Sequence, residues 1–374
     1  MAASRRGSVS GRGAVLFDGT DQLDVIDLVV DAPGPNEVAI RTHAVGLCHT
    51  DLHLMDGTVV RPRPIVPGHE GAGVIEAVGS NVDNLKPGDH VVTCMVVGCG
   101  SCPACHEGVP SRCARPNATS RGEDENPRLA LGTTPVGQMG GVGALVDRIV
   151  MDARGVVAIP STMPLELAAI LGCAVVTGLG SIFNVARVKP TERVAVIGCG
   201  GVGLNLIQGA RIAGASRIIA VDISPSKLAL AELLGATDVV DASTTDAVTA
   251  VTDLSGGGVD HAFEAIGLAA TAEQAVAMAA PGRTAYVVGL LPIDAEVRVS
   301  SSAMRRTKSL VGVVMGGTRP HEDIPRYVEL WEQGRLDLES MISQVITLDE
   351  VHEGFAAMAG GEVARTVVGW NHGS

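Results

Sequence analysis

Aromatic side chains are almost missing from this 374-residue chain, which holds four Phe, two Tyr and two Trp, 2% in all. Their scarcity excludes a ring-packed interior and leaves an aliphatic core. Positive charge is also in deficit, with 28 Lys and Arg against 41 Asp and Glu and a formal net charge of −13 at pH 7. A nucleic-acid scaffold is thereby excluded as the default, because holding a phosphate backbone takes an excess of clustered cations. There is no low-complexity stretch and no repeat at a solenoid period. Nor does the start look like a secretory signal, since Arg5 and Arg6 are followed by Ser10, Gly11 and Arg12 before any apolar run forms. One uncharged stretch, Leu167 to Ala186, approaches the length that spans a bilayer. It contains Gly172, Gly178 and Gly180 and lacks flanking aromatic anchors, so a buried helix is expected there and no membrane partner.

What is present sets the class. Hydrophobic residues make up 46% and charged residues 18%, enough apolar surface to offset chain entropy, which excludes disorder. Glycine, at 47 residues, points to many tight turns and close backbone approaches. The length exceeds the roughly 250–300 residues at which one core stops growing, so two domains are expected. Residues 13–43 read as short strands (Ala14–Phe17, Val25–Leu28, Glu37–Arg41) separated by turn signals such as Pro33-Gly34-Pro35-Asn36. Gly71–Val78 and Asp89–Val92 continue in that style. From Glu192 the pattern changes to alternating buried strands (193–198, 217–222, 237–241, 259–265, 283–289) and helices (202–213, 225–234, 244–254, 271–279), which predicts a doubly wound parallel sheet. One further helix is expected at 323–333. The layout expected is α/β: a β-rich domain from both chain ends, residues 1–173 and 316–374, with a parallel-sheet domain at 174–315 inserted between.

Gly198-Cys199-Gly200-Gly201-Val202-Gly203 closes a predicted strand and opens a predicted helix, the context in which Gly-x-Gly-x-x-Gly marks a dinucleotide site. Gly198 permits the tight turn, Gly200 lets a pyrophosphate approach, and Gly203 lets the helix pack on the strand. The helix N-terminus, with Gly201 and Val202 in its first turn, offers free N–H groups and partial positive charge. Asp222 ends the next strand. Its carboxylate suits the ribose hydroxyls of NAD and repels the 2′-phosphate of NADP, and Lys227 is placed for a further ribose contact. A Gly-rich turn with a capping Asp is the plainer reading, outweighed by strand, turn, helix, strand and acid falling in order.

Eight cysteines occur, four of them as Cys99-x2-Cys102-x2-Cys105-x7-Cys113. At a background of 8 in 374, three more at set offsets arise by chance on the order of 10⁻⁵ of the time. The spacing predicts a closed, structural four-thiolate zinc site in a lobe at about 94–114. A disulfide cluster fits poorly with a large chain lacking a secretory signal, and a reducing, cytoplasmic location is expected. Cys48, His69 and Cys173, each alone, are ordinary buried residues. Cys48 and His69 lie in unusual settings, Cys48-His49-Thr50-Asp51-Leu52-His53 and Gly68-His69-Glu70-Gly71-Ala72-Gly73. Two thiolates and one imidazole leave the fourth tetrahedral position of a zinc open to water or substrate.

With Gly172-Cys173 and the Gly198 fingerprint, these motifs resemble the zinc-dependent medium-chain alcohol dehydrogenases in order and spacing over residues 13–371. The resemblance implies a GroES-like catalytic domain, a Rossmann domain, NAD, and two zincs per chain, the catalytic one on Cys48, His69 and Cys173. It implies further that Glu70 lies close to that metal, that Asp51 orients His69, that Thr177 touches the nicotinamide, and that His49 and Arg365 meet the pyrophosphate. Without the resemblance, Arg365 reads as a solvated charge. A homodimer or homotetramer is expected.

Zinc lowers the pKa of a bound hydroxyl, so an alcohol on the metal is expected to react as alkoxide and to expel hydride to the nicotinamide. The resemblance assigns its proton a route through Thr50 and the cofactor ribose to His53, a residue type that titrates near neutrality. The substrate implied is a small primary or secondary alcohol, or the matching aldehyde or ketone. Met95, Met139 and Leu290 are the implied pocket lining, apolar and tolerant of size. Residues 114–145 depart most from the family pattern, and Gly140, Gly141 and Gly143 suggest a mobile wall. Glutathione-dependent formaldehyde dehydrogenases, which act on a thiol adduct, tend to lack the His53 imidazole and to carry a basic anchor where this chain has Asn117, with Arg115 two residues away. A non-catalytic dinucleotide-binding redox sensor is the reading from another class, whose signature would be loss of Cys48, His69 or Cys173.

Overall fold

The computed structural model describes residues 7–115, 118–122, 124–361 and 363–370. Its contacts divide the chain into two units, Met1–Cys173 with Arg319–Val328 and Ile342–Ser374, and Ala174–Thr318 with Glu329–Met341.

The first unit is the β-rich one. Strands Val9–Leu16, Leu23–Val30, Leu129–Leu131, Thr134–Gln138 and Ile65–Val66 close a small barrel. A seven-stranded sheet runs Val156–Ala158, His90–Thr93, Glu70–Val78, Glu37–Gly46, Thr366–Gly369 and Gln344–Ile346, with Arg148–Asp152 also paired to Glu37–Gly46. The last two strands of the chain thus complete a sheet begun near its start. The core is aliphatic, as the composition requires: Leu16, Leu28, Ile40, Leu54, Ile75, Leu129, Leu145 and Ile149 are fully buried.

The stretch 114–145, expected as a mobile wall, holds the Leu129–Leu131 and Thr134–Gln138 strands of the barrel. Gly140, Gly141 and Gly143 take φ of +60°, +72° and +55° in the turn that follows. Arg121 reaches back to Glu37, Asp31 and the Ala32 carbonyl, and Arg128 to Glu37 and the Thr119 carbonyl, which ties Arg121 and Arg128 to the strand that begins at Glu37. Glu37 is buried, and although burial pushes its carboxyl up, the two guanidinium groups win and hold it below its usual value.

The second unit is a six-stranded parallel sheet. Numbered along its own sequence (Arg193–Ile197, Arg217–Asp222, Asp238–Asp241, Val259–Glu264, Ala279–Val287, Ser309–Gly312), the strands lie in the order third, second, first, fourth, fifth, sixth. Helices Gly201–Ala213, Pro225–Leu234, Ala247–Ser255 and Ala269–Met278 connect the first five. The strand order reverses between the first and fourth strands, the place where such sheets bind ligands beyond their carboxyl ends. Residues 316–318 and 329–341, grouped by the sequence reading with the chain ends, pack in this unit. Gln208 exchanges hydrogen bonds with Asp337, and Arg211 donates to the Arg335 carbonyl.

The uncharged stretch is not one helix. Leu165–Ala169 and a turn at Ile170–Gly172 stop at Cys173, whose φ of −140° and ψ of −70° are non-helical, and Ala174–Gly180 begins anew. Just before the break, Gly172 lies against the neighbouring strand, where a Cβ would sit 2.1 Å from the Thr93 carbonyl oxygen. Gly178 and Gly180 serve close packing in the second unit, against Asn205 and the Gly316 carbonyl. Among the described residues no single helix is long and apolar enough to cross a membrane.

Candidate active site

Cys48 precedes the short helix His49–Met55 and takes extended backbone angles there. Asp51, three residues on and fully buried, accepts the Cys48 N–H at 3.2 Å. Its other oxygen accepts the Gly68 N–H at 2.8 Å and lies 3.2 Å from His69 Nδ1. One carboxylate therefore locks two separate segments, and it turns the imidazole so that Nε2 points away from it. His69 Nε2 is buried with no hydrogen-bond partner.

That orphan has neighbours of a particular kind. Ligand atoms of Cys48, His69, Glu70 and Cys173, all buried, lie within 4.8 Å of one another. A buried imidazole nitrogen without a partner is costly in an apolar setting, and two thiols beside it are the donor set of a zinc site with an open position. The electrostatics agree. The Cys48 thiol is held well below its usual value by the hydrogen bond from Cys173, aided by Arg365 and His69, while Cys173 is raised correspondingly. Burial opposes a charged His69, yet Asp51 and Cys48 outweigh it and raise that ring.

Glu70 joins the cluster from the next position. Its Oε1 pairs with Arg365 Nη2, and its Oε2 has no partner. Gly46 is required here, because a Cβ on it would fall 2.2 Å from Glu70 Oε2. Burial pushes the Glu70 carboxyl up to about 8, against the pull of Arg365. Arg365 is 4% exposed and also donates to the Leu47 carbonyl at 2.8 Å. Read alone from the sequence it is a solvated charge; in the fold it is a buried cation facing the Glu70 carboxylate. The pairing of Glu70 with Arg365 leaves no spacing signal, because 295 residues separate them.

Thr50 Oγ1 lies 3.7 Å from Cys48 Sγ, beside the cluster. His53 is farther along the same helix, a quarter exposed, with Nδ1 3.5 Å from Asp56 Oδ2. His49 is exposed. Met95 packs against the Gly140 turn, and Met139 lies within the first unit's core. Leu290 belongs to the second unit and is 46% exposed. Asn117 lies outside the described residues, and Arg115 bends back onto Ser101.

Cys99, Cys102, Cys105 and Cys113 also converge, with no disulfide. Three of their Sγ separations are 3.9, 3.5 and 4.0 Å. Four thiolates at about 2.3 Å from a tetrahedral zinc stand about 3.8 Å apart, so the lobe fits that ion. The backbone N–H groups of Ser101 and Arg115 donate to Cys99 and Cys113 Sγ, and the first of these draws the Cys99 thiol to about 5.

In the second unit the fingerprint has the shape a pyrophosphate needs. Gly198 has φ of +95°, and a Cβ on Gly203 would lie 1.7 Å from the Gly198 carbonyl oxygen. A Cβ on Gly200 would meet nothing within 4 Å, so open space lies before the N-terminus of helix Gly201–Ala213. Asp222 accepts N–H groups from Cys199, Ile223 and Ser224, which fixes its carboxylate at the end of its strand. Lys227 is half-buried on the following helix, and Thr177 is nearly buried with its hydroxyl 3.6 Å from Met315 Sδ.

Comparison with known proteins agrees with these two units. Residues 34–161 match the alcohol dehydrogenase GroES-like domain and residues 201–333 the zinc-binding dehydrogenase domain. A Mycobacterium tuberculosis protein provisionally named alcohol dehydrogenase D is 34% identical over 95% of this chain and 98% of its own. Benzyl alcohol dehydrogenase from Acinetobacter calcoaceticus is 30% identical, with a TM-score of 0.91 over 96% of this chain and 99% of that one. A Sinorhizobium meliloti protein provisionally named a zinc-binding dehydrogenase, solved bound to NADP, is 26% identical with a TM-score of 0.82, over 97% of this chain and all of that one. Motifs, fold and relatives together place the chain in the zinc-type medium-chain alcohol dehydrogenase family.

Proposed function

We propose that this chain is an NAD-dependent oxidoreductase interconverting small apolar alcohols with their aldehydes or ketones, with one zinc on Cys48, His69 and Cys173 and a second in the four-cysteine lobe. The observation that carries the reading is the buried, unpartnered His69 Nε2 set among the Cys48 and Cys173 sulfurs. Bound zinc would supply Lewis-acid stabilisation of the alcohol oxygen, and nicotinamide the hydride acceptor. The chain's own residues do the rest. Asp51 holds His69 in one orientation and Cys48 at its backbone. Thr50 Oγ1 takes the alcohol proton, and His53, at the wet end of the same helix, hands it to solvent. Met95 and Met139 supply adaptable apolar surface. Benzyl alcohol, named in the Acinetobacter relative, belongs to the substrate class proposed. The test is a panel of alcohols with NAD, read by NADH absorbance and paired with metal analysis. Two zincs per chain and turnover of apolar alcohols are expected; no turnover with any alcohol overturns the reading. Formaldehyde with and without a low-molecular-weight thiol belongs in the panel, because thiol-dependent turnover would favour the adduct reading.

NAD is proposed over NADP because Asp222 presents a fixed carboxylate at the end of its strand. In Asp222→Gly the ratio of kcat/KM for NAD over NADP should fall by about tenfold or more. Unchanged discrimination would place selectivity elsewhere. His53→Gln should lower alcohol oxidation at and below neutral pH by about 10- to 100-fold, the low end of general acid–base effects. The loss should fade at high pH, where hydroxide takes the proton directly, and a small buffer base should restore part of it. A wild-type pH profile without buffer rescue would make His53 a surface residue only.

A further inference from the structure

Glu264 ends the fourth strand of the parallel sheet, beside the first strand that leads into Gly198. It is fully buried, and nothing in the sequence beyond an acid at a strand end marks it. Its Oε1 accepts the N–H groups of Ile266 and Gly267 at 2.8 and 2.6 Å and the Thr271 hydroxyl at 2.9 Å. Its backbone carbonyl accepts Val288 and Gly289 N–H at 2.8 and 3.0 Å. Four N–H groups from the two loops that leave the fourth and fifth strands therefore converge on one residue. The second carboxylate oxygen, Oε2, is buried without a hydrogen-bond partner. The loops touch one another as well: a Cβ on Gly289 would lie 2.2 Å from Gly267 N and 2.8 Å from Glu264 Oε2, and one on Gly267 would lie 2.4 Å from the Leu290 carbonyl oxygen. The outcome reaches the fingerprint, because Ile266, 45% exposed, covers Gly198 so closely that a Cβ there would lie 2.6 Å from Ile266 Cγ1.

We infer that Glu264 is a positioning residue for the dinucleotide: by gathering the 265–271 and 288–290 loops it sets Ile266 as the lip of the crevice beyond the switch point and holds Leu290 beside it. This rests on the dinucleotide reading above. An apolar lip at the carboxyl edge of the first and fourth strands meets a nucleotide there by the general rule for such sheets. A carboxylate suits the task better than an amide would. Oε1 has three donors to receive, while an amide nitrogen at the buried Oε2 place would find no acceptor.

The test compares Glu264→Gln, Thr271→Val and Ile266→Ala in the full-length chain. NADH affinity is read by titration of nucleotide fluorescence, alcohol kinetics as separate kcat and KM values, and folding by thermal melting. Glu264→Gln should weaken NADH by about tenfold, the effect of taking the charge from that hydrogen-bond set and burying an amide nitrogen without an acceptor. Thr271→Val, which removes one donor of three, should weaken it by about threefold. Ile266→Ala, at an exposed position, should weaken NADH by a similar factor while leaving the melting temperature at the wild-type value, which ties the lip itself to the nucleotide apart from any effect on stability. In all three variants KM for the dinucleotide should rise more than kcat falls. If Glu264→Gln melts early but it and both other variants bind NADH within twofold of wild type, the inference is overturned. Should Glu264→Gln fail to fold, the other two variants decide in the same way. Failure of the wild-type chain to bind either NADH or NADPH would instead overturn the dinucleotide reading itself.

Discussion

Cys173→Ser should abolish alcohol oxidation while the protein stays folded, with kcat/KM falling by about 10⁴-fold and zinc content dropping from two ions per chain to one. The size follows from what a metal contributes: each loss of about 1.36 kcal/mol in transition-state stabilisation is tenfold in rate, and Lewis-acid stabilisation of an alcohol oxygen is worth several such steps. The fold should persist because serine keeps nearly the size of Cys173 and its capacity to hydrogen-bond at the end of the Ile170–Gly172 turn; the Cys99 lobe, closed by four thiolates, should keep its ion. Asp51→Asn makes a graded control. It keeps the shape but weakens the hold on His69 Nδ1 and the Cys48 N–H, and losses of about 10- to 100-fold in metal affinity are expected from such changes. A variant lacking the Cys173 zinc that still oxidises alcohols would end the proposed chemistry. Cys105→Ser should act differently, lowering the melting temperature ahead of any effect on turnover, since a closed zinc site contributes folding energy.

Arg365→Met should destabilise the chain by about 3 kcal/mol, the lower part of the range for breaking a buried ion pair. Arg365 and Glu70 are both buried, and the methionine removes the cation that faces the Glu70 carboxylate. The low end is expected because burial raises that carboxyl and, with Arg365 gone, its pull no longer opposes the rise, so Glu70 can take up a proton and avoid a bare buried charge. The Leu47 carbonyl also loses its donor. In the double variant Glu70→Gln with Arg365→Met most of the loss should return, since neither charge remains to be left alone. Chemical denaturation of wild type, both single variants and the double variant gives the coupling directly. Additive losses would mean that the two residues do not share an ion pair in solution. Dinucleotide affinity measured on the same set separates this role from the pyrophosphate contact implied by the resemblance: the double variant should regain stability without regaining affinity.

Much of the fold was legible because its signals are local. Strand and helix periodicity from 193 to 289 marked the parallel sheet, and the glycines of the fingerprint announced a turn that tolerates no Cβ at Gly203. The lobe cysteines declared themselves by spacing alone. By contrast, the run from Leu167 to Ala186 has the composition of one buried helix, yet it breaks at Cys173, just after Gly172 meets the Thr93 carbonyl. Periodicity is blind to a partner 79 residues away. The ties of Arg121 and Arg128 to Glu37 met the same limit, because they cross more than 80 residues of chain.

The sequence by itself determined the class of chemistry, through residue types that few other purposes bring together: thiols at metal spacing, His69 beside Glu70, and glycines before a helix. It determined the aliphatic core through the near absence of rings. Tertiary structure alone decided which charges are buried and what each faces. Asp51 between Cys48 and His69, Arg365 against Glu70, and Glu264 beneath two loops are all contacts between segments distant in sequence or fixed by the sheet. The physical reason is that a polar group's meaning depends on its solvent and its partner, and both are set only when the chain closes on itself.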